Sequence, residues 1–447
     1  MTESTAVAMP RLSAHAARRR TSAHATRVAK PVRDRPDAVL WALGLMHLVY
    51  AWRLPSLFPA LKPLKLGMVS GVLALGLFLL DRSPRRRLAD LPAGPVRFLA
   101  GLLAVMVLSV PGGIVPSHSA AFLVQTILPT MLLLVMVAAS VRSLADVEWF
   151  AALNMMAAAG YCLFCLWAFQ VDENGRLAEL IFYDTNDLGL LIVATMPFVA
   201  YFLARGHRTS RRLLAVFCAP VFLLLLVKTG SRGAFLGLIV ITAYLASYYR
   251  GVSRVTRLGT VAFVASAFMV LGGAAYFDKI ATLLNPTQDY NWQGNSPTGR
   301  LEIWKRGLGY LADHPLVGVG VNNFSSAEGR LSTIAREMQS RGKGFKWSAA
   351  HNSYLETATD AGVGALACFL GLFAATFLKL RDVTRVTGRL PFVSRELVLA
   401  QVFTASLIGY LVCAFFISAE YFVYPYVLLG LSMGFAKAAL PRAQVVP

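Results

Sequence analysis

Residues 349–364 read AAHNSYLETATDAGVG and run without a charge into ALACFLGLFAATFL at 365–378. A polar segment ends behind a histidine and an asparagine, and a long apolar helix begins. Ser353 and Glu356 have the Ser-x-x-Glu spacing of a capping box, so the helix should start at Ser353 or Tyr354, with His351 and Asn352 just outside it. Glu356 is then accounted for by that box. Runs of about 17–25 apolar residues, the length that crosses a bilayer, recur along the chain. Of its 447 residues 56% are hydrophobic and only 15% charged, and the mean hydropathy is +0.58. Such a composition excludes an ordinary soluble domain. The expectation is an all-α polytopic membrane protein of about twelve transmembrane helices, near 38–52, 64–80, 96–114, 120–141, 148–169, 188–204, 212–228, 233–249, 258–277, 353–378, 396–417 and 420–437.

Charge orients these segments. Residues 1–37 are polar and basic, without the apolar core of a signal peptide, and read as a disordered cytoplasmic tail. With that tail inside, the cytoplasmic links become DRSPRRRLADLP, RGHRTSRR, RGVSRVTR and KLRDVTRVTGRLPFVSRE. The opposite links PGGIVPSHS, QVDENGRLAELIFYDTND and SAE are neutral or acidic. This is the positive-inside pattern. The net charge of +20 therefore sets orientation and meets anionic lipid, and it does not imply nucleic acid. The domain plan that follows has the tail 1–37, transmembrane helices 1–9 over 38–277, a large outer loop at 278–352, helices 10–12 over 353–437, and a cytoplasmic tail at 438–447. Cys162, Cys165, Cys218, Cys368 and Cys413 all fall in apolar segments, where packing explains them better than disulfide or metal chemistry.

The outer loop carries its own helices. In GRLEIWKRGLGYL, Leu301, Trp304, Leu308 and Leu311 form one stripe, the mark of an amphipathic helix. DHPLVGVGVNNF breaks it, and SSAEGRLSTIAREMQSRG, opening on a Ser325–Glu328 capping box, predicts a second helix. Trp292, Trp304, Phe324 and Trp347 should pack this loop over the outer mouth of the bundle. GVGVNNF has no helix signature behind it and is weak as a phosphate loop.

Several residues at the outer surface could carry chemistry. His351 lies before a helix N-terminus, whose positive end disfavours an imidazolium, so it is either a neutral proton acceptor or a loop-packing residue. Arg232 lies at an outer turn between Gly230 and Gly233, where it either meets a ligand or reaches to headgroups; Lys228 is a weaker version of the same signal. Arg300 opens the first loop helix as a ligand contact or a surface arginine. Arg53, Lys62 and Lys65 form a basic exception in the first outer link, open to headgroup or ligand. Asp184, Asn186 and Asp187 either cap an incoming helix, orient sugar hydroxyls or pair with Arg232. The outer segments hold no metal-ligand spacing and no Asp-x-Asp, and the chain has no Walker, Rossmann or nucleophile-elbow motif.

Together, KTGSRGAFLGL at 228–238, TGRLEIWKRGLGYLADHPLVGVGVNNF at 298–324 and AHNSYLETATDAGVGAL at 350–366 resemble the O-antigen ligase and polymerase family of bacterial membrane glycosyltransferases. The resemblance implies a GT-C-like helical fold and an active site on the periplasmic side of the inner membrane, with both termini cytoplasmic. It implies a donor glycan on undecaprenyl diphosphate, an acceptor hydroxyl on lipid A-core or on another glycan, and no cofactor. It places the family's essential arginines on Arg232 and Arg300, as diphosphate contacts, and its histidine on His351, as catalytic base. Lys228, Asn352, Asp187, Lys62 and Lys65 remain possible substrate contacts. The expected reaction is inverting and metal-independent, with O-antigen ligation in lipopolysaccharide synthesis ahead of repeat-unit polymerisation of O-antigen or exopolysaccharide. A lipid-linked oligosaccharide transporter without chemistry is the alternative of another class. It would place charges at mid-membrane, whereas the polar groups here gather at the outer surface.

Overall fold

The computed structural model describes residues 36–443, apart from residues 53, 84–85, 173–175, 178–183, 205, 286–288, 290 and 295. Residues 1–35 of the expected basic tail and Arg53 thus lie outside the described residues. Beyond one bridge between Val171 and Leu177, the described secondary structure is helical. The apolar helices are α1 (Ala38–Trp52), α2 (Leu66–Leu80), α3 (Ala93–Ser109), α4 (Pro116–Ser140), α5 (Leu144–Ala168), α6 (Thr185–Leu203), α7 (Thr209–Thr229), α8 (Arg232–Tyr248) and α9 (Arg254–Leu271). Four short helices follow: α10 (Gly273–Ala281), α11 (Arg300–Asp313), α12 (Phe324–Arg330) and α13 (Thr333–Ser340). The last three are α14 (Ser353–Thr387), α15 (Arg395–Ala414) and α16 (Val423–Ala443).

Among the described residues nine helices are long and apolar enough to cross a bilayer. Three more apolar helices, α1, α3 and α8, have 15, 17 and 17 residues, and a count of twelve crossings rests on them. Every expected span overlaps one of these helices, although 258–277 runs past the end of α9 into α10 and 96–114 runs past the end of α3. The sequence thus folds as an all-α, multi-pass membrane protein. α15 and α16 are the most buried of the spans, while α2 and α9 bury few of their residues and suit lipid. α4 widens into a π-turn over Leu123–Ile127 directly before Pro129, which cannot donate the next helical hydrogen bond.

The two ends of the bundle differ in chemistry. At one, Arg86 and Arg142 ion-pair with Asp37 at the start of α1, and Arg211 and Arg395 meet Glu148 on α5. The other carries the described residues of 272–352 and of the links 110–115, 169–184 and 415–422. Backbone bonds seal this loop end: Ile114 N–H to Val319 O at 2.8 Å, and Leu177 N–H to Lys228 O at 2.9 Å.

Four local expectations are corrected there. α14 is not one rod: Ala361 and Gly362 leave helical geometry, Gly362 at φ +83°. The chain at 314–320 fills the break, with Val319 N–H on Thr359 O (2.8 Å), Gly320 N–H on Asp360 O (2.9 Å) and Val363 N–H on Pro315 O (2.9 Å). A side chain at Gly362 would stand 2.2 Å from Leu316 O, so only glycine admits the strand. The GVGVNN stretch is therefore the plug of a broken helix. Secondly, Ser353 and Glu356 form no capping box. Asn352 caps α14 through Oδ1, at 3.0 Å from both Tyr354 N and Leu355 N. Ser353 instead ties to the 415–422 link, donating to Ile417 O and accepting from Ala419 N. Thirdly, the Ser325–Glu328 box is absent: Asn323 stands at the N-cap of α12, and Glu328 turns inward to Arg306 and Tyr310. Ser332 makes a cap of its own, so the expected second helix is two, α12 and α13. Lastly, the buried face of α11 is Ile303, Gly307 and Tyr310, while Leu308 is 57% exposed. Gly307 shifts the face, because Phe324 and Leu355 pack where its side chain would be.

Candidate functional site

One turn carries Arg232. α7 ends on Gly230 in the left-handed region (φ +56°), and Ser231 caps α8 by accepting from Ala234 N. Arg232 is then the first helical residue. Gly233 lets the 415–422 link close in, since a side chain there would lie 2.9 Å from Phe416 Cβ. Arg300 likewise opens α11 behind Gly299. His351 precedes the cap of α14 with φ +51°, in the left-handed region, which projects it out of the helix line.

These three residues line a single cavity of about 910 Å³ at the loop end. The N-terminus of α6 joins them through Asp184 and Asn186, so four helices begin on the cavity wall. Helix N-termini favour anions. The charged side chains add to that bias: Arg176, Arg232, Lys279, Arg300 and Lys346 against Asp184 and Asp289, a balance of +3. Two of the cations are tied to named partners. Arg232 ion-pairs with Asp289 and donates to Thr282 Oγ1 at 2.7 Å. Arg176 reaches Thr229 O at 2.9 Å and Thr185 Oγ1, stapling the end of α7 to the start of α6.

The titratable groups respond to this field. Burial pushes the His351 imidazole down to about 4, and Arg300 and Lys346 act in the same direction against Asp184. His351 is neutral at pH 7, as its place before a helix suggested. Burial lowers Lys279 to about 8, with Arg176 and Arg232 adding to it. Burial alone would raise the Asp289 carboxyl, but hydrogen bonds from Asn291 and the Arg232 guanidinium hold it below its ordinary value.

Of the described residues singled out in the sequence as chemical candidates, Arg232, Arg300, His351, Asp184 and Asn186 line the cavity, and Lys228, Asn352, Asp187, Lys62 and Lys65 do not. Asp184 caps α6, one of the readings its sequence position offered, and it is Asp289 that takes Arg232. Asp187 closes a capping box with Asp184. The Asn352 side chain is spent on its cap. Lys228 is off the cavity wall, its carbonyl held by Leu177 N–H. Lys62 and Lys65 are exposed in and after the 3₁₀ turn Pro59–Leu64, also off the wall. Sequence reasoning missed Arg176, Lys279, Lys346 and Asp289. Arg176 was hidden in a link read as neutral or acidic, Lys279 sits in the last turn of α10, and Asp289 and Lys346 lie in loop stretches, none with a motif around it. Among the described residues no group of three or more His, Cys, Asp and Glu comes together in metal-ligand fashion.

The fold and the cavity define the class: a multi-pass, all-helical membrane protein with an anion-seeking pocket at one end of its bundle. Residues 216–370, from within α7 to within α14, match the family model described as O-antigen ligase. The match contains Arg232, Arg300 and His351 and supports assigning the chain to the O-antigen ligase and polymerase family, which its motifs resemble. That family implies lipid-linked glycan substrates and glycosyltransferase activity in general terms. No curated protein matches the chain.

Proposed function

We propose that the protein transfers a glycan from undecaprenyl diphosphate to an acceptor hydroxyl at the periplasmic face of the inner membrane, and that the reaction is O-antigen ligation to lipid A-core. The observation that carries this reading is the gathering of Arg232, Arg300 and a neutral His351 in one cavity of +3 balance. A lipid-linked diphosphate diester brings two negative charges, and the leaving diphosphate gains a third as its bond to the sugar breaks. The cavity matches the departing group better than the bound one, which is the requirement for catalysis. Arginine suits this task, because its planar fork makes paired bonds to phosphate oxygens.

The chemistry balances without a further reactant. The acceptor oxygen attacks the anomeric carbon and its proton passes to the His351 imidazole. The carbon–oxygen bond to phosphate breaks, and its electron pair leaves on the diphosphate, held by Arg232 and Arg300. Attack opposite the leaving group inverts the anomeric centre. The charge stabilisation comes from the chain's own side chains, so the reaction is metal-independent.

Orientation follows from the two ends of the bundle. The arginine-rich links lie at the end opposite the cavity, and such links stay in the cytoplasm. The cavity then faces the periplasm and both termini the cytoplasm, with residues 278–352 as the periplasmic loop.

Purified protein in liposomes, given an undecaprenyl-diphosphate glycan and lipid A-core, should join the two. His351→Ala should lower the rate about 10²–10⁴-fold. Transfer to a second lipid-linked repeat in place of lipid A-core would identify a polymerase. Movement of the lipid-linked sugar across the bilayer with no new glycosidic bond would identify a transporter and overturn the proposal.

A further inference from the structure

The turn that presents His351 is held from behind, by residues that do not line the cavity. His351 adopts a left-handed backbone that non-glycine residues avoid, so something must over-determine it. Ala350 N–H donates to Glu356 Oε2 at 3.1 Å, and the Ser418 hydroxyl donates to the same oxygen. The His351 N–H in turn donates to Ser418 Oγ at 2.9 Å. Two successive amides of the turn are thus anchored on one buried carboxylate, the second through a hydroxyl. Ala350 is completely buried, and its carbonyl accepts from Trp304 Nε1 at 2.8 Å, which links the turn to α11 and Arg300.

Helix capping does not explain this use of a carboxylate. Asn352 does the capping, and both described side-chain hydrogen bonds of Glu356 go to the turn and to Ser418. Ser418 is itself fixed, because Ser353 grips the residues on either side of it, Ile417 O at 2.7 Å and Ala419 N at 2.8 Å. We propose that Glu356 and Ser418 are positioning residues that hold the 350–351 turn and thereby aim the His351 imidazole at the acceptor hydroxyl. This rests on the reading of His351 as the base. Reaction geometry is sensitive to displacements of about 1 Å, so a loosened turn should cost rate and spare donor binding, which belongs to the arginines.

The test is steady-state transfer by the purified full-length protein in liposomes, with unfolding midpoints measured on each variant. Ser418→Ala removes one hydroxyl and should lower kcat about 10–100-fold with donor KM within about twofold of wild type. Glu356→Ala should do the same or worse, while Glu356→Gln, which keeps an acceptor oxygen, should recover most of the rate. The acid limb of the kcat/KM profile should not move in Ser418→Ala, because the charges around the imidazole are unchanged. Adding Ser418→Ala to His351→Ala should cause no further loss. If His351→Ala is inactive while folded Ser418→Ala and Glu356→Ala turn over at the wild-type kcat, the positioning role is wrong. A parallel fall in unfolding midpoint, with donor KM rising as kcat falls, would reduce both residues to structural supports. If His351→Ala itself retains full activity, the base reading fails and takes this inference with it.

Discussion

The guanidinium of Arg232, on the first turn of α8, is ion-paired to the carboxylate of Asp289 in the loop that crosses the cavity. A donor diphosphate must compete with that carboxylate for the same donors. Arg232→Ala should therefore lower kcat/KM about 10²–10³-fold. Asp289→Asn should act the other way on binding, lowering donor KM about fivefold, which corresponds to roughly 1 kcal/mol. Donor titrations on both variants check the two signs.

Arg300 carries two consequences. As a diphosphate contact its loss should cost about 10²–10³ in rate. It is also the largest cause after burial of the low His351 value, so Arg300→Ala should move the acid limb of kcat/KM upward from about 4 toward the ordinary histidine range. A pH series on the variant separates the two effects.

The wild-type pH dependence follows from the same groups. Only neutral His351 accepts a proton, so kcat/KM should hold until the pH falls toward about 4. Lys279 loses its charge above about 8, so donor KM should rise on the alkaline side. The bound donor's negative charge opposes the field of Arg300 and Lys346, and the limb in kcat should lie above the limb in kcat/KM. Histidine with an unshifted acid limb would contradict this.

Activity should survive a chelator. Incubation with excess EDTA, followed by assay without added divalent ions, should leave the rate within about twofold if fixed cations do the charge stabilisation. A loss restored by magnesium would refute that prediction.

Gly362 offers a stability test away from the cavity. Gly362→Ala meets both a left-handed backbone and the Leu316 carbonyl 2.2 Å from the new side chain. A cost of at least about 1–3 kcal/mol is expected, read as a lower unfolding midpoint in detergent.

The bundle was legible in the sequence because each apolar run must satisfy its own backbone bonds in lipid, which fixes it as a helix wherever it falls. Arg232, Arg300 and His351 were legible through motifs and position. Arg176, Lys279, Lys346 and Asp289 were not, because nothing in an isolated loop sequence says which of its charges will turn inward. The capping boxes at Ser353 and Ser325 misled for a related reason. Glu356 found the Ser418 hydroxyl and Glu328 the Arg306 guanidinium, tertiary donors that drew each away from its N-cap amide. The break in α14 gave only the signal of Gly362, one glycine among 35.

That break divides the walls of the cavity into two mechanical pieces. Arg300 and His351 ride on the segment from α11 to Asp360, knitted together by Trp304 with Ala350, Gly307 with Thr359 and Val319 with Thr359. Arg232 and Arg176 belong to the bundle, and the two pieces are joined by Ser418 at His351, by Ser353 to Ile417 and Ala419, and by Ile114 to Val319. The span from Arg300 to His351 is thus set within one piece, and the span from Arg232 to His351 by how the two are fastened together.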